Sequence, residues 1–244
     1  MSNADKSLVM LATYNEIENI PRLVEAIFAR ISDVDILVID DNSPDGTGRW
    51  CDEFAKKDPR LKCLHRPGKL GLGTATIAGI QFAIEHHYQY VLNMDADFSH
   101  DPKYLAVLFQ GMDDGDHPVD VMIGSRYVKG GEIVGWPLKR HLMSRAVNLA
   151  SRLLLGLPTH DCSGAFRCYR IERMAQLNFA QFRSQGYVFQ EEVLWRLKLL
   201  GCRFGEIPIV FVDRIHGVSK IDGSEVGMAI RNLLRLGYEN LRGR

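Results

Sequence analysis

The sequence predicts an α/β fold in which a mostly parallel sheet is flanked by helices on both faces. Short apolar runs alternate with segments of helical periodicity through the first half of the chain, and polar clusters follow three of those runs. This alternation is typical of parallel strands joined by crossover helices. The 244 residues, of which 46% are apolar and 25% charged, are enough for one large domain with a sizeable core.

Spacing predicts the elements of the first half. Compact apolar runs predict strands at 8–12, 36–39, 61–64, 90–94 and 119–123. Apolar residues three and four positions apart predict helices over 17–31, 47–57, 77–84 and 104–112. The resulting order of strands and helices is Rossmann-like.

The second half is less regular. A Gly-rich loop is predicted at 128–137, with short strands at 165–169 and 207–212. Helices are predicted over 142–153, 193–200 and 224–241, the last bearing Arg231 and Arg235. Because the sequence contains no repeat, low-complexity stretch or linker, residues 1–244 are predicted to form a single domain.

Two of these helices have apolar faces that allow two interpretations. One face carries Leu142, Ala146, Leu149 and Leu153, and the other belongs to the 224–241 helix. Amphipathic helices with arginines nearby lie at membrane surfaces. Packing into the core produces the same pattern, and the sequence favours core packing for each helix.

Charge and cysteine content exclude several classes of protein. Thirty basic residues balance thirty acidic ones, so no general attraction to nucleic acid is expected. The five cysteines are odd in number and form no C-x-x-C pair, which disfavours a disulfide framework or a zinc site and favours a reducing compartment. Neither a signal pattern nor an apolar run of about 18 residues is present, so no transmembrane helix is expected.

Three polar clusters, at 13–16, 40–43 and 95–99, each follow a predicted strand. Ligands of open parallel sheets bind outside the carboxyl ends of the strands, so these clusters are expected to meet at one rim. At least five carboxylates would then lie together. Such a concentration is costly unless a cation or hydrogen-bond donors neutralise it.

Asp95 and Asp97 form the sharpest signal at this rim. In an extended segment, residues two apart face the same way, and two carboxylates on one side suit Mg²⁺ or Mn²⁺. The alternative is a strand end capped by turn-forming aspartates, and spacing alone leaves both interpretations open. The same turn alternative applies to Asp40 and Asp41.

A dinucleotide site is a weaker alternative. Gly71-Leu72-Gly73 opens a predicted helix, and Asp95 follows at about the twenty-residue distance of the dinucleotide fingerprint. However, Thr76 occupies the third glycine position, and Asp97 has no role in that scheme.

Basic residues in predicted loops or at element ends complete the candidate site. Singly, each would be a solvated surface charge. Facing an acidic rim together, they predict binding of a diphosphate and of a second phosphate, because Arg and Lys are the usual phosphate ligands. They are Lys69, Arg126, Arg140, Arg214 and Lys220.

Nine motifs in order give the chain a resemblance that runs from about residue 7 to residue 241. They are ATYNE (12–16), VIDDNSPDGT (38–47), GKLGLGTA (68–75), MDADFSHDP (94–102), GSRYVKGG (124–131), GWPLKRHLMSR (135–145), DCSGAFRCYR (161–170), GYVFQEE (186–192) and FVDRIHGVSK (211–220). The chain resembles dolichol- and polyprenol-phosphate mannose synthases, which are inverting family-two glycosyltransferases with the A-type fold. The resemblance implies a nucleotide-sugar half at about 7–127, an acceptor half at about 128–223 and a C-terminal amphipathic helix at about 224–241.

The resemblance also implies roles for individual residues. Tyr14, Glu16 and Asp41 are similar to the base and ribose pocket, and Lys69 to a donor-contacting lysine. Asp97 is similar to the principal metal ligand, with Asp95 and Ser99 beside it. The implied catalytic set is Asp97, Arg126, Arg214 and Lys220, and the wider substrate-binding set also includes Arg140, Ala12, Ile39 and Ala96. Ala12 departs from the proline of many relatives.

By resemblance, the expected reaction is transfer of mannose from GDP-mannose to dolichyl or polyprenyl phosphate with inversion. The alternatives are a glycosyltransferase that uses a UDP-sugar and an inactive sugar-nucleotide-binding partner subunit. A membrane-embedded acceptor implies a cytoplasmic enzyme that is peripheral on the cytosolic face of a membrane. The chain resembles the soluble catalytic type of this family, which in eukaryotes works with small membrane subunits, so such subunits are candidate partners.

The expected acceptor explains why no catalytic histidine is predicted. The second pKa of a monoalkyl phosphate is about 6, so near neutral pH it is largely a dianion and needs positioning more than deprotonation. His100 and His216 lie near motifs, and we interpret both as structural or peripheral.

Overall fold

The computed structural model describes residues 6–114, 118–184, 188–213 and 223–242. Within these residues nine strands form two sheets: β1 (Ser7–Thr13), β2 (Val34–Asp40), β3 (Leu61–His65), β4 (Tyr90–Asp95), β5 (Val121–Ser125), β6 (Glu132–Val134), β7 (Arg167–Arg170), β8 (Phe204–Pro208) and β9 (Val210–Val212). The helices of the same residues are α1 (Ile20–Arg30), α2 (Thr47–Ala55), α3 (Leu72–Glu85), α4 (Leu105–Gln110), α5 (Leu138–Leu155), α6 (Ile171–Met174), α7 (Val188–Leu199) and α8 (Gly223–Leu241).

The main sheet has seven strands in the order β3-β2-β1-β4-β7-β5-β8. The four N-terminal strands are parallel, as the alternation of strands and helices predicts. Strand β7 is antiparallel to both β4 and β5, and β8 is parallel to β5. The prediction of a mostly parallel α/β sheet is therefore confirmed.

Two apolar clusters cover the two faces of this sheet. One contains residues of α3, α7 and α8, and the other contains residues of α1, α2 and α4. Strands β1 and β2 read as nearly continuous apolar runs because both of their faces are buried. Helix α3 approaches closely at Gly79, where an added Cβ would lie 2.8 Å from the sulfur of Met10.

The C-terminal half corrects two predictions. The predicted loop at 128–137 contains β6, which pairs in parallel with β9 to form a separate two-stranded sheet. The single strand predicted at 207–212 is divided, since β8 belongs to the main sheet and β9 to the small one. Three-residue strands are too short to show a period of two, and Pro208, which has no N–H to donate, ends β8.

Helix α5 corrects a third prediction. Leu142, Leu149 and Leu153 are 60%, 55% and 74% exposed, so the face predicted to pack into the core faces outward. The side of α5 that is buried carries Asn148, Ser151 and Leu155.

Helix α8 has one apolar face that is buried and another that is exposed. Leu233 and Leu236 are buried against the protein, whereas the exposed side carries Ile230, Leu234, Tyr238 and Leu241. Core packing is therefore confirmed for only part of this helix. Within the described residues, no helix combines the length and the apolar character needed to cross a membrane.

Candidate active site

The three polar clusters meet at one edge of the sheet, as expected. Strand register places Thr13 opposite Asp40, and Ala12 opposite Asp95. The carboxyl ends of β1, β2 and β4 are therefore neighbours, and the loops that follow them form a common rim. Ala12 and Ile39 also pair directly, and Ile39 is buried, so its side chain belongs to the core.

Each of the three rim loops contains a residue in the left-handed region that is not glycine. Asn15, Asn42 and Phe98 have φ of 62°, 59° and 62°. Asparagine tolerates this region, but for phenylalanine it is strained. Such strain is found mainly where the surrounding structure holds a functional loop in place.

Asp40 and Asp41 have different roles, although they are adjacent in sequence. The carboxylate of Asp40 accepts hydrogen bonds from Thr13 Oγ1 at 3.0 Å, Ser43 N at 3.0 Å and Ser43 Oγ at 2.5 Å. The turn interpretation is therefore right for Asp40. Asp41 instead faces Arg66, whose Nη1 lies 3.1 Å from Asp41 Oδ1.

The side chain of Asp41 is almost completely buried, and we call the polar groups around it the Asp41 pocket. Burial raises the pKa of Asp41, and the attraction of Arg66 opposes that effect. Leu70 N donates to the other carboxylate oxygen at 3.3 Å. Lys69 lies over the ring of Tyr14, with Nζ 4.7 Å from the ring centroid. The structure thus brings Tyr14, Asp41 and Lys69 towards one another, as predicted, and adds Arg66.

Strand β4 ends at Asp95, and three oxygen-bearing side chains lie at this end, those of Asp95, Asp97 and Ser99. Ser99 N donates to Asp97 Oδ1 at 3.1 Å. The Ser99 side chain is buried, and its Oγ makes no hydrogen bond within the described part of the chain. Ala96, between the two aspartates, is also buried. An all-oxygen donor set with one unsatisfied buried hydroxyl fits a hard divalent cation.

The buried side chain of His100 contacts the backbone of this segment. Asp95 N donates to His100 Nδ1 at 3.1 Å, and the imidazole stacks on Phe166 with centroids 4.7 Å apart. Burial lowers the pKa of His100, despite the opposing charges of Asp95 and Asp97. A buried, neutral imidazole that accepts a backbone hydrogen bond agrees with the predicted structural role.

Arg126 follows β5 and is almost entirely buried in an ion pair with Asp161. Its Nε and Nη2 each donate to the Asp161 carboxylate at 2.7 Å. Burial by itself raises the pKa of Asp161, but the charge of Arg126, the hydrogen bonds that Arg126 donates and the charge of Arg167 together hold that pKa below its ordinary value. Sequence reasoning assigned no role to Asp161, although it lies in the DCSGAFRCYR motif.

Arg140 lies in the first turn of α5 and is also paired. Its Nη1 donates to both carboxylate oxygens of Asp213, at 3.0 and 3.1 Å, and its guanidinium lies 4.0 Å from the Trp136 ring centroid. Arg214, Lys220 and His216 lie outside the described residues.

Glu191 is a further buried group that sequence reasoning missed. It lies in the first turn of α7, and burial raises its pKa to about 8. Its Oε2 makes no hydrogen bond within the described residues. The charges that act on it include Arg167, Asp161 and Arg126. In the sequence, only the GYVFQEE motif pointed to Glu191.

Comparison with known proteins identifies the family. The profile of Glycosyl transferase family 2 matches residues 8–176. The chain belongs to this family. It is 41% identical over 241 residues to an undecaprenyl-phosphate mannosyltransferase of Micrococcus luteus, covering 97% of this chain and 98% of the relative. It is also 41% identical over 240 residues to a polyprenol monophosphomannose synthase of Mycolicibacterium smegmatis, covering 98% of this chain and 88% of the relative.

Solved structures show that this family-two glycosyltransferase has the A-type fold. Glucosyl-3-phosphoglycerate synthase of Mycobacterium tuberculosis, crystallised with Mn²⁺, UDP-glucose and phosphoglyceric acid, matches with a TM-score of 0.66 at 18% identity over 96% of this chain and 80% of that chain. A mannosyltransferase of Pyrobaculum calidifontis in complex with GDP-Man and Mn²⁺ matches with a TM-score of 0.63 at 16% identity over 100% of this chain and 66% of that chain. The predicted family, enzyme class and fold are confirmed.

Proposed function

We propose that this family-two glycosyltransferase transfers mannose from GDP-mannose to a dolichyl or polyprenyl phosphate with inversion. The observation that carries the proposal is the meeting of the Asp41 pocket and the Asp95–Asp97 dyad at neighbouring strand ends. Two mannosyltransferases named for polyprenyl phosphates share 41% identity with nearly the whole chain, which supports the choice of sugar and acceptor.

The donor pocket lies between β1, β2 and the segment before α3. Asp41, held by Arg66 and Leu70 N, offers carboxylate oxygens to ribose or base N–H and O–H groups. Tyr14 and Glu16 extend this side of the rim, while Lys69 supplies a positive charge for the diphosphate. Ala12, Ile39 and Ala96 contribute backbone at the strand ends.

The residues of the dyad fit Mg²⁺ or Mn²⁺. Asp97 would be the principal ligand, with Asp95 and Ser99 beside it, since all three offer the oxygen atoms that these ions prefer. When bound, the ion would screen the negative charge of the departing diphosphate. The protein itself holds this segment by means of Ser99 N and His100.

The acceptor side needs no general base. A phosphate dianion attacks the anomeric carbon from the side opposite the diphosphate, which inverts the configuration. Arg126 and Arg140 are proposed to bind this phosphate, and each is already oriented by a carboxylate, Asp161 or Asp213. Arg214 and Lys220 are proposed to join them, as the family resemblance implies.

The exposed apolar face of α5 supports a peripheral membrane location. Leu138, Leu142, Leu149 and Leu153 share this exposure, and Lys139 and Arg145 are exposed on the same helix. Apolar residues flanked by basic ones are typical of helices that lie in the interface of an anionic bilayer. Helix α8 packs beside α5 at Gly237 and Leu154, and its own exposed residues extend the surface. We therefore place this surface against the cytosolic face of a membrane, where an embedded acceptor is reached.

Transfer of labelled mannose tests the proposal. Purified protein is incubated with Mn²⁺, a short polyprenyl phosphate and either GDP-mannose or UDP-glucose, and product is measured by extraction into organic solvent. We expect transfer from GDP-mannose alone. Transfer from UDP-glucose alone would favour the UDP-sugar alternative, and no transfer from either donor would favour an inactive binding subunit. Dependence on small membrane subunits would show as activity only in crude membranes.

A further inference from the structure

Asp161 is a fully buried carboxylate that both flanks and orients Arg126. Its Oδ2 accepts from Arg126 N at 3.0 Å and Nε at 2.7 Å, and its Oδ1 accepts from Nη2 at 2.7 Å and from Gly164 N at 2.9 Å. A carboxylate with this many donors and no exposed surface stays ionised and rigid. Its own backbone N–H donates to Glu206 at 3.0 Å, which fixes the loop to β8.

The guanidinium of Arg126 is confined on its other sides as well. The rings of Tyr127, Trp136 and Phe211 have centroids 5.4, 5.5 and 5.5 Å from its central carbon. Nη2 also donates to Ser163 Oγ at 3.0 Å. Among the described residues, Nη1 makes no hydrogen bond. The direction of this remaining nitrogen is therefore set by the groups that hold the rest of the side chain.

The same loop is tied to the buried side of α5. Asn148 Oδ1 accepts from Cys162 N at 2.6 Å, and Asn148 Nδ2 donates to Ser163 Oγ at 3.1 Å. One turn earlier in α5, Ser144 Oγ accepts from Tyr127 Oη at 2.6 Å. Asn148 is only 4% exposed, although asparagine in the middle of a helix is unfavourable by propensity. These bonds join α5 to the residues on both sides of Arg126.

We propose that Asp161 and Asn148 are positioning residues through which α5, the helix that meets the lipid surface, fixes the direction of Arg126. The inference rests on the proposed function, since it assigns Arg126 to the acceptor phosphate. A reacting group displaced by about 1 Å can lose about a hundredfold in rate, so a second layer of hydrogen bonds is a direct means of control. Docking of α5 on a bilayer would then favour the arrangement that is competent for transfer.

Asn148→Ala tests the link, with Ser151→Ala as its matched control. Ser151 is fully buried on the same side of α5, but within the described residues its hydroxyl donates only to Val147 O of the same helix. We expect Asn148→Ala to lower kcat with a short soluble prenyl phosphate at least tenfold, leaving the Kd for GDP unchanged. Ser151→Ala should lower Tm by about as much as Asn148→Ala does, but its kcat should stay within about twofold of the wild-type value. Equal kcat in the two variants would overturn the proposal.

A double-mutant cycle separates this inference from the proposed function. Because Asn148 acts through Arg126, adding Asn148→Ala to Arg126→Ala should cause no further loss of kcat. Fully additive losses would show a merely structural role and would refute positioning. If Arg126→Ala alone keeps wild-type activity, both the assigned role of Arg126 and the positioning inference fail. If Arg126→Ala is impaired and Asn148→Ala is not, only the positioning inference fails.

Discussion

The guanidinium of Arg66 lies 3.1 Å from the carboxylate of Asp41, and both side chains are almost completely buried. Neither Arg66 Nη1 nor Asp41 Oδ1 makes a hydrogen bond of good geometry within the described residues, so their attraction is mainly Coulombic. The pair joins the end of β2 to the segment that leads into α3. It therefore connects the two loops that form the donor pocket.

Removal of Arg66 should damage both stability and nucleotide binding. Arg66→Leu leaves the Asp41 charge buried without its partner, and breaking such a pair costs about 3 kcal/mol of the free energy of unfolding. We expect weaker GDP binding by about tenfold in titration calorimetry. Arg66→Lys is the control, because it keeps the charge. Unchanged GDP affinity in Arg66→Leu would show that Asp41 takes no part in binding the donor.

Asp97→Ala should abolish transfer and leave the fold intact. The change removes the principal proposed metal ligand, whereas Asp101→Ala, four residues later, removes an exposed carboxylate whose described bonds are to Lys103. Transfer assays over a range of Mn²⁺ concentrations and thermal unfolding with GDP should show loss of metal-dependent stabilisation in Asp97→Ala only. Full activity in that variant, or in excess EDTA, would contradict the metal role.

The exposed leucines of α5 should determine membrane binding. Leu149→Glu combined with Leu153→Glu places two charges on the proposed lipid surface, at side chains that are 55% and 74% exposed and contribute little to packing. Loss of about 1.4 kcal/mol for each leucine lowers partition into anionic vesicles about a hundredfold. Co-sedimentation measures the effect, and Tm should not change.

Val107→Glu is the control for the vesicle experiment. Val107 is 48% exposed on α4, whose buried side packs in the cluster on the other face of the sheet. The Val107→Glu variant should bind vesicles as the wild type does. Equal binding by the double glutamate variant and the wild type would rule out α5 as the contact surface.

Glu191 should make stability depend on pH. Its pKa in the folded state is about 8, whereas an unfolded glutamate titrates at about 4.3. Between these values the folded state holds a proton that the unfolded state lacks, so the free energy of unfolding falls as pH rises through this window. Glu191→Gln should remove this slope and be more stable than the wild type at pH 8.

Thermal unfolding at several pH values between 5 and 8.5 checks this prediction. Glu172→Gln, at an exposed glutamate of α6, serves as the control and should keep the wild-type slope. A slope that persists in Glu191→Gln would assign the dependence to another group.

The N-terminal half was predictable because local signals and tertiary structure agree there. Strands β1, β2 and β4 are buried on both faces, so their apolar runs are visible in sequence, and parallel register then brings Asp41 and Asp95 to one rim. The family resemblance added the roles of Asp97, Ser99 and Lys69, which spacing alone left open against a turn interpretation.

The sequence by itself determined the α/β class and the strand ends at which the site is built, because periodicity and turn residues act locally, and the resemblance of its nine motifs indicated the family. Only the tertiary structure decided that α5 buries Asn148 and exposes Leu149, that Asp161 holds Arg126, and that Arg66 faces Asp41. Helical periodicity shows that a helix has two faces, but not which of them meets the protein. Likewise, ion pairs between residues far apart in sequence depend on how the loops pack, and no local pattern encodes that.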